Sequence, residues 1–174
     1  MIRIAITGPE STGKSTLTEN LARHFQTVFN PEYAREYIDK LKRPYKYDDI
    51  EKIAIEQLDR EEALLEKASR VLFADTELLV IKVWMEHKYN KIPFWLPDAI
   101  SSYQYDLYLL CDVDVPWEDD PQREHPHMRA HFFEKYQKEL ETNGFTYEII
   151  SGSWDERFKK SVALVDQLIA KTLK

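Results

Sequence analysis

Near the start of the chain two glycines, with four residues between them, lead directly into a lysine and a hydroxyl: Gly8-Pro9-Glu10-Ser11-Thr12-Gly13-Lys14-Ser15, with Thr16 following. This is the G-x-x-x-x-G-K-[ST] pattern of a phosphate loop. Glycine lets main chain approach an anion with no side chain in the way. Successive N–H groups and the N-terminus of the following helix favour negative charge. Lys14 is placed to reach the β- and γ-phosphates of a bound ATP, and the Ser15 hydroxyl to ligate Mg²⁺. Glu10, Ser11, Thr12 and Thr16 belong to the same turn. The pattern carries weight only between a strand and a helix. Ile2 to Ile6 reads as the strand, and Leu17, Leu21 and Phe25 recur at helical spacing.

A second acidic candidate is Asp75, at the end of Val71-Leu72-Phe73-Ala74. It suits Mg²⁺ or a substrate hydroxyl. The residue after it is Thr76, where an ATP-driven motor would normally carry a water-polarising glutamate. That points to transfer onto a bound acceptor over hydrolysis. A GTPase switch is disfavoured too: no aspartate lies three residues before any of the four glycines, and Asn90-Lys91 continues Ile92-Pro93. Glu32-Tyr33-Ala34-Arg35-Glu36 follows the second expected strand, and strand ends carry the site in a doubly wound sheet. Glu32 there is a candidate proton acceptor and Arg35 a candidate for holding substrate or phosphate. A non-catalytic ATP-binding regulatory module remains the alternative from another class.

The segment from Val115 to His127 holds three prolines, four acids and Arg123, with almost no apolar periodicity. It reads as a long loop, and loops of this length are usually functional or disordered. Arg123, with Arg129 further on, is suited to close over a transferred phosphoryl group and stabilise its charge. Trp117 is available to stack on a base. His125 and His127 lack the neighbours a metal site needs.

These residues need a scaffold. Short apolar runs alternate with helical patterns, which predicts an α/β fold: about five parallel strands in three layers with helices on both faces. Strands are expected at Ile2–Ile6, Thr27–Phe29, Arg70–Asp75, Leu107–Cys111 and Phe145–Ile150. Helices are expected after Lys14-Ser15 and over 31–40, 48–68, 77–89 and 128–143, the fifth stopping at Gly144. Pro93 and Pro97 break the chain between. Ser153 and Glu156 form a capping box that opens the last helix.

The chain has 174 residues, 43% hydrophobic and 32% charged, so one P-loop kinase domain over 1–174 is expected, with a lid at about 115–129. The net charge of −7 argues against a nucleic-acid or anionic-membrane partner. The single cysteine, Cys111, excludes an internal disulfide, is expected in the core, and suggests a cytoplasmic setting. No apolar run approaches the ~18 residues of a membrane span, and the N-terminus enters the first strand with no cleavable signal expected.

Taken together, these segments resemble the ribosylnicotinamide kinase domain of NadR-type proteins over nearly the whole chain. The likeness lies in Gly8 to Thr16 in its Gly-x-Glu-Ser-x-Gly-Lys-Ser form, in Glu32-Tyr33-Ala34-Arg35-Glu36-Tyr37, in Phe73-Ala74-Asp75-Thr76, and in Pro116-Trp117 with Asp120 and Arg123. The resemblance implies phosphorylation of nicotinamide riboside to nicotinamide mononucleotide with ATP and Mg²⁺. It implies that Lys14 and Ser15 handle ATP and metal, that Asp75 serves metal or the acceptor hydroxyl, that Asp120 contacts the riboside and Arg123 the phosphates. Glu32, Tyr33 and Arg35 match the acceptor side. The chain departs from the family at Pro31, where an aromatic residue is frequent, and at Pro121, where glycine is usual. A kinase for another nucleoside or small metabolite stays open, as does the choice of Asp75 or Glu32 as base. Neither a helix-turn-helix nor a His-x-Gly-His nucleotidyl-transfer signature is seen, so no transcriptional role is expected.

Overall fold

The structure is a computed structural model that describes residues 1–172. Five strands form one parallel sheet: β1 (Ile2–Thr7), β2 (Phe29–Asn30), β3 (Val71–Asp75), β4 (Leu107–Cys111) and β5 (Tyr147–Ile150), in the order β2-β3-β1-β4-β5. β1 sits in the centre, with Ile4 in register with Phe73 on one side and Leu107 on the other. Parallel strands need crossover connections, and helices supply them. They are α1 (Lys14–His24), α2 (Tyr33–Lys40), α3 (Tyr47–Leu65), α4 (Leu78–Tyr89), α5 (Leu96–Ser102), α6 (Arg129–Thr142) and α7 (Trp154–Thr172).

Successive strand side chains point to opposite faces, and this alternation divides the core in two. Ile2, Ile4, Ile6, Val71, Phe73, Leu107, Leu109 and Cys111 pack with Leu17, Leu21 and Ala22 of α1 and Val165 of α7. Ala5, Ala74, Tyr108 and Leu110 face the other way, onto α3, α4, α5 and α6. Both faces are covered, so the central strands are apolar throughout. The Cys111 thiol is fully buried and its ionisation is pushed up to about 11 by that burial.

Most expected elements appear within a few residues of their forecast limits. The second strand is only Phe29–Asn30. Thr27 lies outside it and uses its hydroxyl to cap the Val71 carbonyl at 2.7 Å. The segment expected to be broken by two prolines contains α5, because Pro97 falls in the first helical turn, where its missing N–H is tolerated. α4 is capped by Glu77, whose carboxylate accepts from the Leu79 amide at 2.6 Å. Asp75 is therefore free of any capping role. The Ser153–Glu156 capping box closes as expected, with the Ser153 hydroxyl 2.7 Å from Glu156 Oε2.

One buried network ties α3 to the sheet. Glu61 is almost fully buried, accepts from Arg3 Nε at 3.1 Å and from the Tyr105 hydroxyl at 2.6 Å, while the Arg3 guanidinium lies against the Tyr103 and Tyr105 rings. Removing one member of such a pair leaves the other buried and unpaired. Glu61→Ala should therefore lower unfolding stability by about 3–5 kcal/mol, measured by urea denaturation, and Glu61→Gln should lose less.

Candidate active site

The loop between β1 and α1 has an unusual backbone. Gly8 sits at φ 130°, and a Cβ there would meet the Cys111 carbonyl oxygen at 2.9 Å. Gly13 sits at φ 80°, with the Trp154 ring occupying the space of any side chain. Only glycine serves at either place. Thr12 donates its hydroxyl proton to the Pro9 carbonyl at 2.8 Å, and Lys14 Nζ donates to the same oxygen at 2.8 Å. An ammonium has three protons, so Lys14 keeps donors for an anion. From beneath, buried Arg157 of α7 donates to the carbonyls of Thr12 (3.1 Å), Gly152 (2.9 Å) and Asp112 (3.1 Å) and pairs with Asp114.

The segment from Val115 to Met128 lies across this loop. The Glu10 carboxylate accepts the amides of Glu124 and His125, each at 3.1 Å. The Ser11 hydroxyl accepts the Glu118 amide at 2.8 Å and Arg123 Nη1 at 3.4 Å. Arg129 Nη1 donates to the carbonyls of Ser11 (3.1 Å) and Val115 (2.8 Å). The side chains of Glu10 and Ser11 thus hold the lid, where the sequence pointed to nucleotide contact. Arg129 pins the lid's root and does not line the cavity, whereas Arg123 lines it.

On the other side, Glu32 is the residue at the N-cap of α2 and lines the cavity. Asp75 ends β3, and Ser15 is among the neighbours that pull its carboxyl pKa back down. Its Oδ1 is buried and has no hydrogen-bond partner. Burial, and then the charge of Glu32, push the Asp75 carboxyl up to about 6. One residue fixes both acids. Gln57 of α3 accepts the Tyr33 amide at 2.8 Å and donates to the Pro31 carbonyl at 3.2 Å and the Thr76 carbonyl at 3.4 Å. Glu32 lies between two of its partners, and Asp75 precedes the third. Glu77 turns inward, taking the Thr7 hydroxyl at 3.0 Å.

Loop, lid and helices enclose one cavity of about 480 Å³. Gly8 to Thr16, Glu32, Arg35 and Arg123 all line it. Tyr33, Asp75, Trp117 and Asp120 do not. Tyr33 lies under the Arg60 guanidinium, 3.9 Å away. Trp117 donates to Asp119 at 2.8 Å. Asp120 is taken by Arg35 at 2.7 Å and by the Gln122 amide. The far wall was not anticipated. It is built by Tyr45, by Val80, Val83, Trp84 and His87 of α4, and by Phe132 and Tyr136 of α6. Lid residue Glu124 reaches this wall, accepting from the Tyr45 hydroxyl at 2.9 Å and from Lys88 at 3.3 Å.

A family model described as an AAA domain matches residues 3–157. The chain belongs to that family. It is 28% identical over 97% of its length to the trifunctional NAD biosynthesis/regulator protein NadR of Escherichia coli, and 27% identical to that of Salmonella typhimurium. It spans 43% of the length of these curated relatives. Among solved structures, a NadR protein in complex with NR superposes with a TM-score of 0.79 at 24% identity, covering 95% of this chain and 51% of that one. A thymidylate kinase from Ehrlichia chaffeensis gives 0.64 at 14% identity, covering 96% of this chain and 98% of that one. A deoxyadenosine kinase from M. mycoides gives 0.59 at 13%, covering 95% of this chain and all of that one. These likenesses establish the fold as that of P-loop kinases. Among the described residues no helix is long and apolar enough to cross a membrane.

Two outcomes test this geometry. Gln57→Leu strands the half-buried Tyr33 amide and the buried Thr76 carbonyl and should lower stability by about 1–3 kcal/mol, read by urea denaturation. Asp75 binds its proton more tightly folded than unfolded, so folding stability falls as pH rises from about 4 to about 6. Asp75→Asn should relieve this. In EDTA at about pH 8 the variant should be more stable than wild type by about 1–3 kcal/mol, and the gap should close below about pH 4.

Proposed function

We propose that this chain transfers the γ-phosphoryl group of ATP to the hydroxyl of a nucleoside, with the 5′-hydroxyl of nicotinamide riboside the first candidate acceptor. The observation that carries the proposal is one cavity lined by a phosphate loop, Arg123, a carboxylate and an aromatic wall. Similarity to NadR proteins, one of them solved with NR, supports the choice of acceptor.

In this reading the amides of Gly8 to Ser15 and the Lys14 ammonium hold the β- and γ-phosphates. Arg123 offsets charge on the equatorial oxygens as the phosphoryl group moves in line. Glu32 faces the cavity and takes the proton of the attacking hydroxyl. Asp75 ends the strand beside β1, and its unpartnered oxygen and the Ser15 hydroxyl would be the groups to hold a divalent cation. The hard oxygen ligands fit Mg²⁺, which keeps most of its shell as water and phosphate. When bound, Mg²⁺ supplies charge neutralisation across the phosphates. Arg35, held by Asp120, borders the acceptor. The lid excludes water, which disfavours wasteful hydrolysis. Thr76 follows Asp75 and Glu77 points into the interior, so neither is placed to activate water.

The test is turnover of a nucleoside panel with ATP and MgCl₂, read by mass spectrometry of the products. Nicotinamide riboside should gain one phosphoryl group per ADP formed. ATP hydrolysis that proceeds unchanged without any acceptor would overturn the proposal. Arg123→Ala should lower kcat by about 100-fold or more while the Kd for ATP shifts by less than about threefold.

A further inference from the structure

α4 turns Val80, Val83, Trp84 and His87 toward the cavity, spaced as one helical stripe of i, i+3, i+4 and i+7. A stripe of this kind normally packs against protein. Here it borders open space, facing Tyr45 and Phe132. The polar atoms of Trp84 and of the facing Tyr45 are already engaged. Trp84 Nε1 donates to the Tyr45 hydroxyl at 3.1 Å, and that hydroxyl also bonds Glu124 and Lys88. The two rings meet edge to face, 5.0 Å between centres, with the Lys88 ammonium 3.8 Å from the Tyr45 ring centre, and their carbon surface borders the cavity. His87 differs. Among the described residues no hydrogen bond engages either of its ring nitrogens, and its contacts are edge-on, to His125 at 4.7 Å and Phe132 at 4.9 Å between ring centres.

Resting on the function proposed above, we infer that His87 sets the acceptor specificity: a flat ring lies along the Trp84–Tyr45 wall and an uncharged amide on that ring hydrogen-bonds the His87 imidazole. A neutral imidazole offers one donor and one acceptor. That matches a carboxamide, which presents a carbonyl and an NH₂. Burial, with His125, Lys135 and His131 nearby, holds the His87 pKa below its ordinary value, against the opposing pull of Glu124, and so favours the neutral ring. The inference concerns selection of the base, and leaves the phosphoryl-transfer groups as they stand.

The experiment compares wild type, His87→Ala and His87→Gln on three pyridine ribosides: the 3-carboxamide, the 3-carboxylate and the unsubstituted ring. His87→Ala should lower kcat/KM for the carboxamide by about tenfold, mainly through KM, and for the unsubstituted ring by less than about twofold. His87→Gln, which keeps a donor and an acceptor, should recover most of the loss. The KM for ATP should be unchanged in both variants. Equal losses on all three ribosides would assign His87 to packing and overturn the inference, as would no loss on any. If wild type turns over none of the ribosides, the choice of nicotinamide riboside as acceptor fails and this inference with it. If wild type is active and the losses are uniform, the inference alone fails.

Discussion

The main chain between Gly8 and Ser15 is shaped for an anion, and the side chains that project from it are left free to do something else. Glu10 and Ser11 spend their oxygens on amides and a guanidinium of the segment above. This pairing sets the rest of the site. It brings Arg123 over the same turn that holds Lys14, and it roofs the cavity. The loop in turn depends on support from distant parts of the chain. The β4 backbone crowds Gly8, Trp154 covers Gly13, and Arg157 grips the Thr12 carbonyl. A turn held on three sides presents its amides without reorganising, which is where preorganised electrostatics gains its strength.

The floor of the site stands at odds with the fold's stability. Asp75 and Glu77 lie deep in the protein, and burial pushes them up to about 6 and about 7. Glu77 is compensated by the Leu79 amide and the Thr7 hydroxyl. Asp75 keeps one oxygen without a partner. Perturbed carboxylates of this kind gather at functional sites, and the contrast between the two acids separates the structural one from the one suited to a ligand.

Much of this could be read from residue order. The glycine spacing, the strand before it and the apolar stripe after it located the phosphate loop, and the apolar run 107–111 gave β4 to the residue. Other features escaped because their cause lies far away in sequence. Gln57 looks like one polar residue on a helix; its importance comes from partners at 31, 33 and 76. Arg157 reaches back 145 residues to Thr12. Trp117, read as available to stack on a base, bonds its neighbour Asp119, and Asp120, set against the riboside only by resemblance, pairs with Arg35, 85 residues away. The α4 stripe reads as ordinary core until the cavity beside it is seen.

Glu124 belongs to both ends of this arrangement. Its amide is fastened to Glu10, and its carboxylate to Tyr45 and Lys88 on the opposite bank. Among the lid's several attachments, this residue alone of the described residues ties the phosphate loop to the aromatic wall by hydrogen bonds. Lifting that residue severs an attachment on each bank together, so opening over the phosphates and opening over the wall are coupled.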